Sequence, residues 1–241
     1  MPFHIPATAE QISRYVFCPG SQARAQRIAQ RFEGMQTISE DRGIVVYSGT
    51  FQRIFMTACG TGMGGPATAI ALEELGQLGA DTFIRAGSCG VLQAEQSPGD
   101  IIIASGTYRS GGTSGEYLPP AFPAVPTFAV LRALVRAAEA LGVAVSVGVG
   151  LALDAFYGTR NDAVLGVVHD AGGRFIEMES DTVFIVGQRR GWRTGALFTA
   201  DGAAGDVKPE WGREAYRLAE GQMIEIALQA MVGLAGEDGA R

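Results

Sequence analysis

The sequence predicts a single α/β domain built on a mixed, mostly parallel central sheet with helices on its faces. Three observations carry that expectation. Short β-rich runs alternate with helical patterns along almost the whole chain. Several of those runs are apolar throughout instead of alternating, as strands covered on both faces are. Three of them are followed at once by glycine clusters, where a sheet of this kind needs tight strand-to-helix turns.

Taken in order, a strand is predicted over residues 15–18 and a helix over 21–33. Strands over 44–47 and 54–58 follow, both rich in β-branched or aromatic residues. The next helix spans 66–78: Pro66 sits where a first-turn proline is tolerated, and Gly79 follows as a cap. Strands over 82–86 and 101–104 precede a helix over 127–141 with apolar residues at helical spacing. Strands over 145–151 and 175–178, a helix over 180–190, a strand over 196–199 and a helix over roughly 210–234 complete the series. Residues 233–241 are expected to fray. No repeat, low-complexity tract or linker divides the chain, so residues 1–241 read as one domain.

Composition narrows the function classes. With 47% hydrophobic and 18% charged residues, the 241-residue chain is globular and long enough to bury a large core. Its 34 glycines have no period, which excludes collagen. A net charge of −6, from 19 basic and 25 acidic residues, argues against nucleic-acid binding. It leaves room for a small anion held by a few arginines. The first residues carry neither a basic nor an apolar leader pattern. The longest apolar run, 143–153, is roughly half of the ~20 residues that a membrane span needs. Cys18, Cys59 and Cys89 are odd in number and far apart, and read as reduced core thiols. A cytoplasmic protein that contacts neither membrane nor nucleic acid is the expectation.

The glycine clusters are Pro19-Gly20, Gly60-Thr61-Gly62-Met63-Gly64-Gly65-Pro66 and Gly87-Ser88-Cys89-Gly90. In open α/β sheets ligands sit beyond the carboxyl ends of the strands, and glycine there lets backbone amides approach an anion. Any one cluster reads equally as a permissive turn. Two of them, however, carry an arginine at short distance: Arg24 and Arg85.

Six segments in order resemble the nucleoside phosphorylases, in the branch that holds uridine phosphorylase and the hexameric purine nucleoside phosphorylase. They are Phe3-His4-Ile5, the run from Pro19 to Arg24, Arg42-Gly43, the run from Gly60 to Pro66, the run from Ile84 to Gly90, and Glu177-Met178-Glu179-Ser180. The resemblance covers nearly the whole chain. It implies phosphorolysis of a nucleoside, with inorganic phosphate as co-substrate, in a homo-oligomer built from dimers, a hexamer in the family.

The residue types agree with that chemistry. Arg24, Arg42 and Arg85 each offer a planar fork of donors to phosphate oxygens, and Gly20 and Ser88 add an amide and a hydroxyl. The three are read as buried or half-buried arginines without carboxylate partners, and so are expected to need an anion. The resemblance places Arg42 and His4 in a neighbouring subunit's site, His4 against the ribose 5′-hydroxyl. It assigns Glu179 to the ribose hydroxyls with Met178 against the sugar, and Glu177 as a further ribose contact. Met63 fits either a sugar contact or a core filler. Phe156 matches a base-stacking phenylalanine, and beside it Tyr157 reads as base contact or core aromatic.

Base choice rests on fewer residues. Asp201 matches the aspartate that protonates the purine ring nitrogen in purine enzymes, which needs a raised pKa to act near neutrality. Arg217 is the candidate for its assisting arginine, across an alignment gap. Uridine enzymes carry a glutamine and an arginine after the stacking pair. Here Gly158-Thr159-Arg160-Asn161-Asp162 stands there, with Arg160 as the displaced candidate. Against purine, Gly64-Gly65-Pro66 and Phe122-Pro123-Ala124-Val125 look more like the uridine branch. Purine is favoured over uridine. Some uridine enzymes bind potassium through a glutamate and a serine, where this chain has Gly43 and Ala67, so neither metal nor cofactor is expected. Hydrolytic nucleosidases share the fold but lack the phosphate arginines; a non-catalytic binding protein would leave the constellation idle.

Overall fold

The structure, a computed structural model, describes residues 2–159, 161–204 and 210–239, the side chains of 210–212 excepted. Among these, nine strands form one sheet: β1 (Tyr15–Phe17), β2 (Glu33–Ser39), β3 (Val45–Phe51), β4 (Ile54–Gly60), β5 (Thr82–Val91), β6 (Ile101–Arg109), β7 (Ser146–Ala152), β8 (Phe175–Glu177) and β9 (Arg193–Ala203). Their spatial order is β2-β3-β4-β1-β5-β8-β7-β6-β9, and β9 also pairs with β5. That extra pairing closes β5, β8, β7, β6 and β9 into a ring, with β2-β3-β4 as an antiparallel wing beyond β1. Pairings are parallel for β1–β4, β1–β5, β5–β9, β6–β7 and β7–β8. The expected mixed sheet is present.

Seven helices cover it: α1 (Gln22–Ala29), α2 (Gly65–Gln77), α3 (Thr113–Tyr117), α4 (Phe128–Leu141), α5 (Asn161–Asp170), α6 (Ser180–Arg190) and α7 (Glu210–Gly239), counted among the described residues. Successive residues of β5 feed opposite faces, because side chains alternate along a strand. Phe83 packs with Leu72 and Leu75 of α2 and Val183 and Phe184 of α6. Ile84 packs on the other side with Ile28 of α1, Leu134 of α4 and Met223 and Met231 of α7. Burial on both faces is why these strands read as continuous apolar runs. Each fully buried Leu, Ile or Phe contributes roughly 1.5–3 kcal/mol.

Several elements differ from the sequence expectation. The first helix ends at Ala29, and Glu33 begins β2. This strand lies at the sheet edge with most side chains in water, so it carries no apolar alternation to read. The short α3 and the α5 helix fall in stretches to which no element is assigned from the sequence. Residues 240–241 lie outside the described residues, and over the rest of 233–241, where fraying is expected, α7 continues to Gly239. There Asp238 accepts bonds from Arg193, at 3.0 and 2.6 Å, and from the Tyr15 hydroxyl at 2.8 Å.

Candidate active site

The glycine turns after β1 and β4 meet beyond the carboxyl ends of those strands, whereas the third cluster, Gly87–Gly90, is not the expected turn: it lies inside β5, where it pairs with β9. Gly20 and Gly62 approach so closely that a Cβ on Gly20 would stand 3.1 Å from the Gly62 carbonyl oxygen. Gly64, at φ +91°, holds a backbone conformation that favours glycine and turns its amide toward the Glu179 carboxylate, to which it donates.

Arg85 is the centre of the site. It is buried on β5, its guanidinium carbon 5.6 Å from the centre of the Phe198 ring. Its Nε donates to Glu177 Oε2 at 2.8 Å and its Nη2 to Glu179 Oε2. The remaining nitrogen, Nη1, is buried without a hydrogen-bond partner among the described residues. A Cβ on Gly20 would lie 3.8 Å from it, so Nη1 faces the first glycine turn. Leaving a charged donor unmet in a buried position costs more than the ~1–3 kcal/mol of a neutral one, and an anion would satisfy it.

The two glutamates are used differently. Glu177 is filled: besides Arg85 it accepts the amides of Glu179 and Ser180, both at 2.9 Å, and the Ser180 hydroxyl at 2.6 Å. It shapes the turn into α6. Glu179 accepts only from Arg85 and the Gly64 amide among the described residues, and a carboxylate has about four acceptor positions. Burial pushes its carboxyl up; Arg85 opposes this and Glu177 adds to it. Free acceptor capacity beside an arginine suits a pair of sugar hydroxyls.

Arg24 approaches from α1, whose first turn is capped by the Ser21 side chain accepting from the Arg24 amide at 3.3 Å. The expectation that the arginines lack carboxylate partners fails in space for Arg24 and Arg85. Arg24 donates through Nε to Glu220 Oε1 at 2.6 Å, through Nη1 to the Ala86 carbonyl at 3.3 Å and through Nη2 to the Tyr216 hydroxyl. Its partner Glu220 is 196 positions away, beyond any sequence window.

The parallel register of β5 and β9 sets Ser88 beside Thr199, and carries Asp201 two residues further along β9. Ser88 and Asp201 are both half-buried. On α7, Tyr216 and Glu220 face Arg24. Arg217 is exposed, because one residue of helix turns a side chain by about 100°. Burial pushes the Tyr216 hydroxyl up, Arg24 opposes it, and Glu220 and Asp201 add to it.

Other predicted residues lie apart. His4 and Arg42 line a cleft of about 280 Å³ with Thr61 and Gly62; neither Arg24, Arg85 nor Glu179 borders it. Arg42 is exposed, at φ +49°, over the Phe3 ring. The N-terminal segment is held by Glu74, which accepts the amides of His4 and Ile5 at 2.8 Å and His4 Nδ1 at 2.7 Å. Burial pushes Glu74 up, but these bonds outweigh it and its carboxyl ends below the ordinary value. Phe156 and Tyr157 are 70% and 93% exposed in a T-shaped pair 4.9 Å apart, so neither is a core aromatic. Met63, 83% exposed, is no core filler, while Met178 is half-buried beside Glu179. Arg160 lies outside the described residues.

A larger cavity, of about 610 Å³, opens at the opposite end of the sheet beside Tyr15 and Ile54, the first residues of β1 and β4. It holds none of the residues above. The three cysteines are free and buried; burial pushes their thiols up, Cys59 to about 12, which keeps them from acting as thiolates. Among the described residues no three His, Cys, Asp or Glu side chains converge to hold a metal ion, and no helix is long and apolar enough to cross a membrane.

Sequence reasoning missed Tyr216 and Glu220. Their only signal is an i, i+4 spacing on a helix whose relation to Arg24 the fold alone sets.

The chain is similar to known proteins over nearly its full length. The Phosphorylase superfamily profile matches residues 14–232. A uridine phosphorylase of Treponema pallidum is 36% identical over 99% of this chain and 96% of its own length. A guanosine phosphorylase of Halorubrum lacusprofundi is also 36% identical, over 96% of this chain and 98% of its own. The crystal structure of a uridine phosphorylase from Vibrio fischeri superposes with a TM-score of 0.91 at 29% identity, covering 96% of each chain. With an unmet arginine donor beside a glycine turn, a free-sided glutamate next to it and these likenesses over nearly its full length, the chain belongs to the phosphorylase superfamily and, within it, to the nucleoside phosphorylases.

Proposed function

We propose that the enzyme catalyses reversible phosphorolysis of the N-glycosidic bond of a purine nucleoside, giving the free base and ribose 1-phosphate. The observation that carries this reading is the buried, unpartnered Nη1 of Arg85, one guanidinium away from Glu179. An anion on Nη1 and a ribose on Glu179 would be neighbours, as a phosphate attacking a sugar must be.

In this reading Arg85, Arg24, Ser88 and the Gly20 turn hold phosphate beneath the anomeric carbon. A phosphate oxygen bonds to that carbon while the carbon–nitrogen bond breaks, its electron pair leaving with the base. The sugar develops oxocarbenium character, which the phosphate charge stabilises. Glu179 orients the hydroxyls with Met178 and Met63 against the sugar, and Glu177 acts through the turn it shapes. Phe156 stacks on the base, with Tyr157 beside it. Asp201 passes its proton to the purine ring nitrogen, general acid help worth typically ~10²–10⁴ in rate. His4 and Arg42 complete the site of a neighbouring subunit, which fits their place on a cleft that their own Arg85 does not border; the assembly is a homo-oligomer of dimers, a hexamer. No metal or other cofactor takes part.

Uridine is the second reading. It is favoured by the Treponema pallidum likeness, which extends over 99% of the chain. The deciding experiment is a panel of purine and pyrimidine nucleosides assayed with and without inorganic phosphate. Phosphate-dependent release of hypoxanthine or guanine supports the first reading and release of uracil the second. Equal release without phosphate means a hydrolase, and no turnover a binding protein.

A further inference from the structure

We propose that Glu220 is the positioning residue for Arg24, with Tyr216 as its second support; this rests on the reading of Arg24 as a phosphate ligand. A guanidinium has five N–H donors. In Arg24 the Nε donor goes to Glu220, one Nη2 donor to Tyr216 and one Nη1 donor to the Ala86 carbonyl, leaving two. Gripped on all three nitrogens and only 5% exposed, the guanidinium plane is set before any anion arrives. A flexible arginine would have to be ordered by the anion itself, at the expense of affinity.

The support is itself built. Glu220 Oε1 accepts Arg24 Nε at 2.6 Å, Arg27 Nη2 at 2.8 Å and the Tyr216 hydroxyl at 3.3 Å. Burial alone would push the Glu220 carboxyl up, but the bonds from Arg27 and Arg24 outweigh it and hold it below the ordinary value. Charge balance explains why this carboxylate does not compete with phosphate. Arg85 faces two glutamates, whereas Arg24 and Arg27 share one. The group of Arg24, Arg27 and Glu220 therefore keeps a net positive charge while the Arg24 geometry is fixed.

The test is steady-state phosphorolysis by the wild type, Glu220→Gln and Tyr216→Phe, varying inorganic phosphate and nucleoside separately. The melting temperature of each protein is measured with and without phosphate alone. Glu220→Gln should raise the phosphate KM by roughly 10-fold or more while nucleoside KM and kcat at saturating phosphate stay within about threefold. Tyr216→Phe keeps the ring and Glu220, and should shift the phosphate KM in the same direction by less. Stabilisation by phosphate alone should shrink in the same order. Unchanged phosphate KM in both variants overturns the proposal, as does an equal rise in both KM values with a lower melting temperature. Wild-type turnover that ignores phosphate would overturn the phosphorolysis reading and this proposal together.

Discussion

Asp181, in the first turn of α6, accepts the Ser114 hydroxyl of α3 at 2.8 Å, and so ties the helix that begins beside Glu179 to the loop after β6. Arg109 donates to the same hydroxyl at 3.1 Å, and to the carbonyls of Leu118, Pro119 and Phe122. The Asp181 carboxyl is pushed up from 3.8 to about 6, first by burial and then by Glu177 and Asp154, with Ser114 and the Thr182 amide opposing.

A raised folded-state pKa means that the folded chain binds more protons than the unfolded one between pH 3.8 and about 6. Stability from this group therefore falls as pH rises through that window, and the cost is fully present above it. Asp181→Asn removes the charge. The variant should gain on the wild type as pH rises from 4 to 7, by at most about 3 kcal/mol for a shift of roughly two units. Paired urea titrations at several pH values measure it; a constant difference would contradict the assignment.

Arg85→Lys should cut kcat/KM by at least about 100-fold, close to 3 kcal/mol of transition-state stabilisation. A lysine has three donors on a single nitrogen, and so cannot reach Glu177, Glu179 and phosphate from the separate places that Nε, Nη2 and Nη1 of Arg85 hold. Initial rates at subsaturating substrate check it, and a kcat/KM within threefold of wild type would contradict the central role of Nη1.

Asp201→Asn should slow phosphorolysis of inosine or guanosine by roughly 10²–10⁴ in kcat with little change in nucleoside binding. Asparagine keeps the shape but cannot transfer the proton. Nucleosides whose base already leaves readily should suffer less. A wild type that prefers uridine, with an Asp201→Asn variant equally active on it, would decide for the second reading.

Arg42→Ala and Arg85→Lys should each be nearly inactive alone, yet regain activity when unfolded and refolded together. If Arg42 serves the neighbouring site, a mixed dimer has one site with both defects and one with neither. Random pairing then restores about a quarter of the sites, as two-fold symmetry requires. Light scattering on the same samples measures assembly. No recovery, or a fully active monomer, would contradict a shared site.

The alternation of elements is legible in the chain because strands buried on both faces read as apolar runs and glycines mark the turns between them. Arg24 and Arg85 stand out there too, at short distance from glycine clusters, and Glu177 and Glu179 through the family resemblance of their segment. What the sequence does not contain is which charges meet. Arg85 and Glu179 are 94 positions apart, and Arg24 and Glu220 are 196. Only the pairing of β5 with β8 and β9 and the docking of α7 bring them together. The same docking turned Tyr216 to Arg24 and Arg217 to water, and left β2 an exposed edge with no pattern to find. Residue type and local spacing belong to the sequence; burial, ion pairing and the unmet Nη1 of Arg85 arise from contacts across the chain, and those the tertiary structure decided.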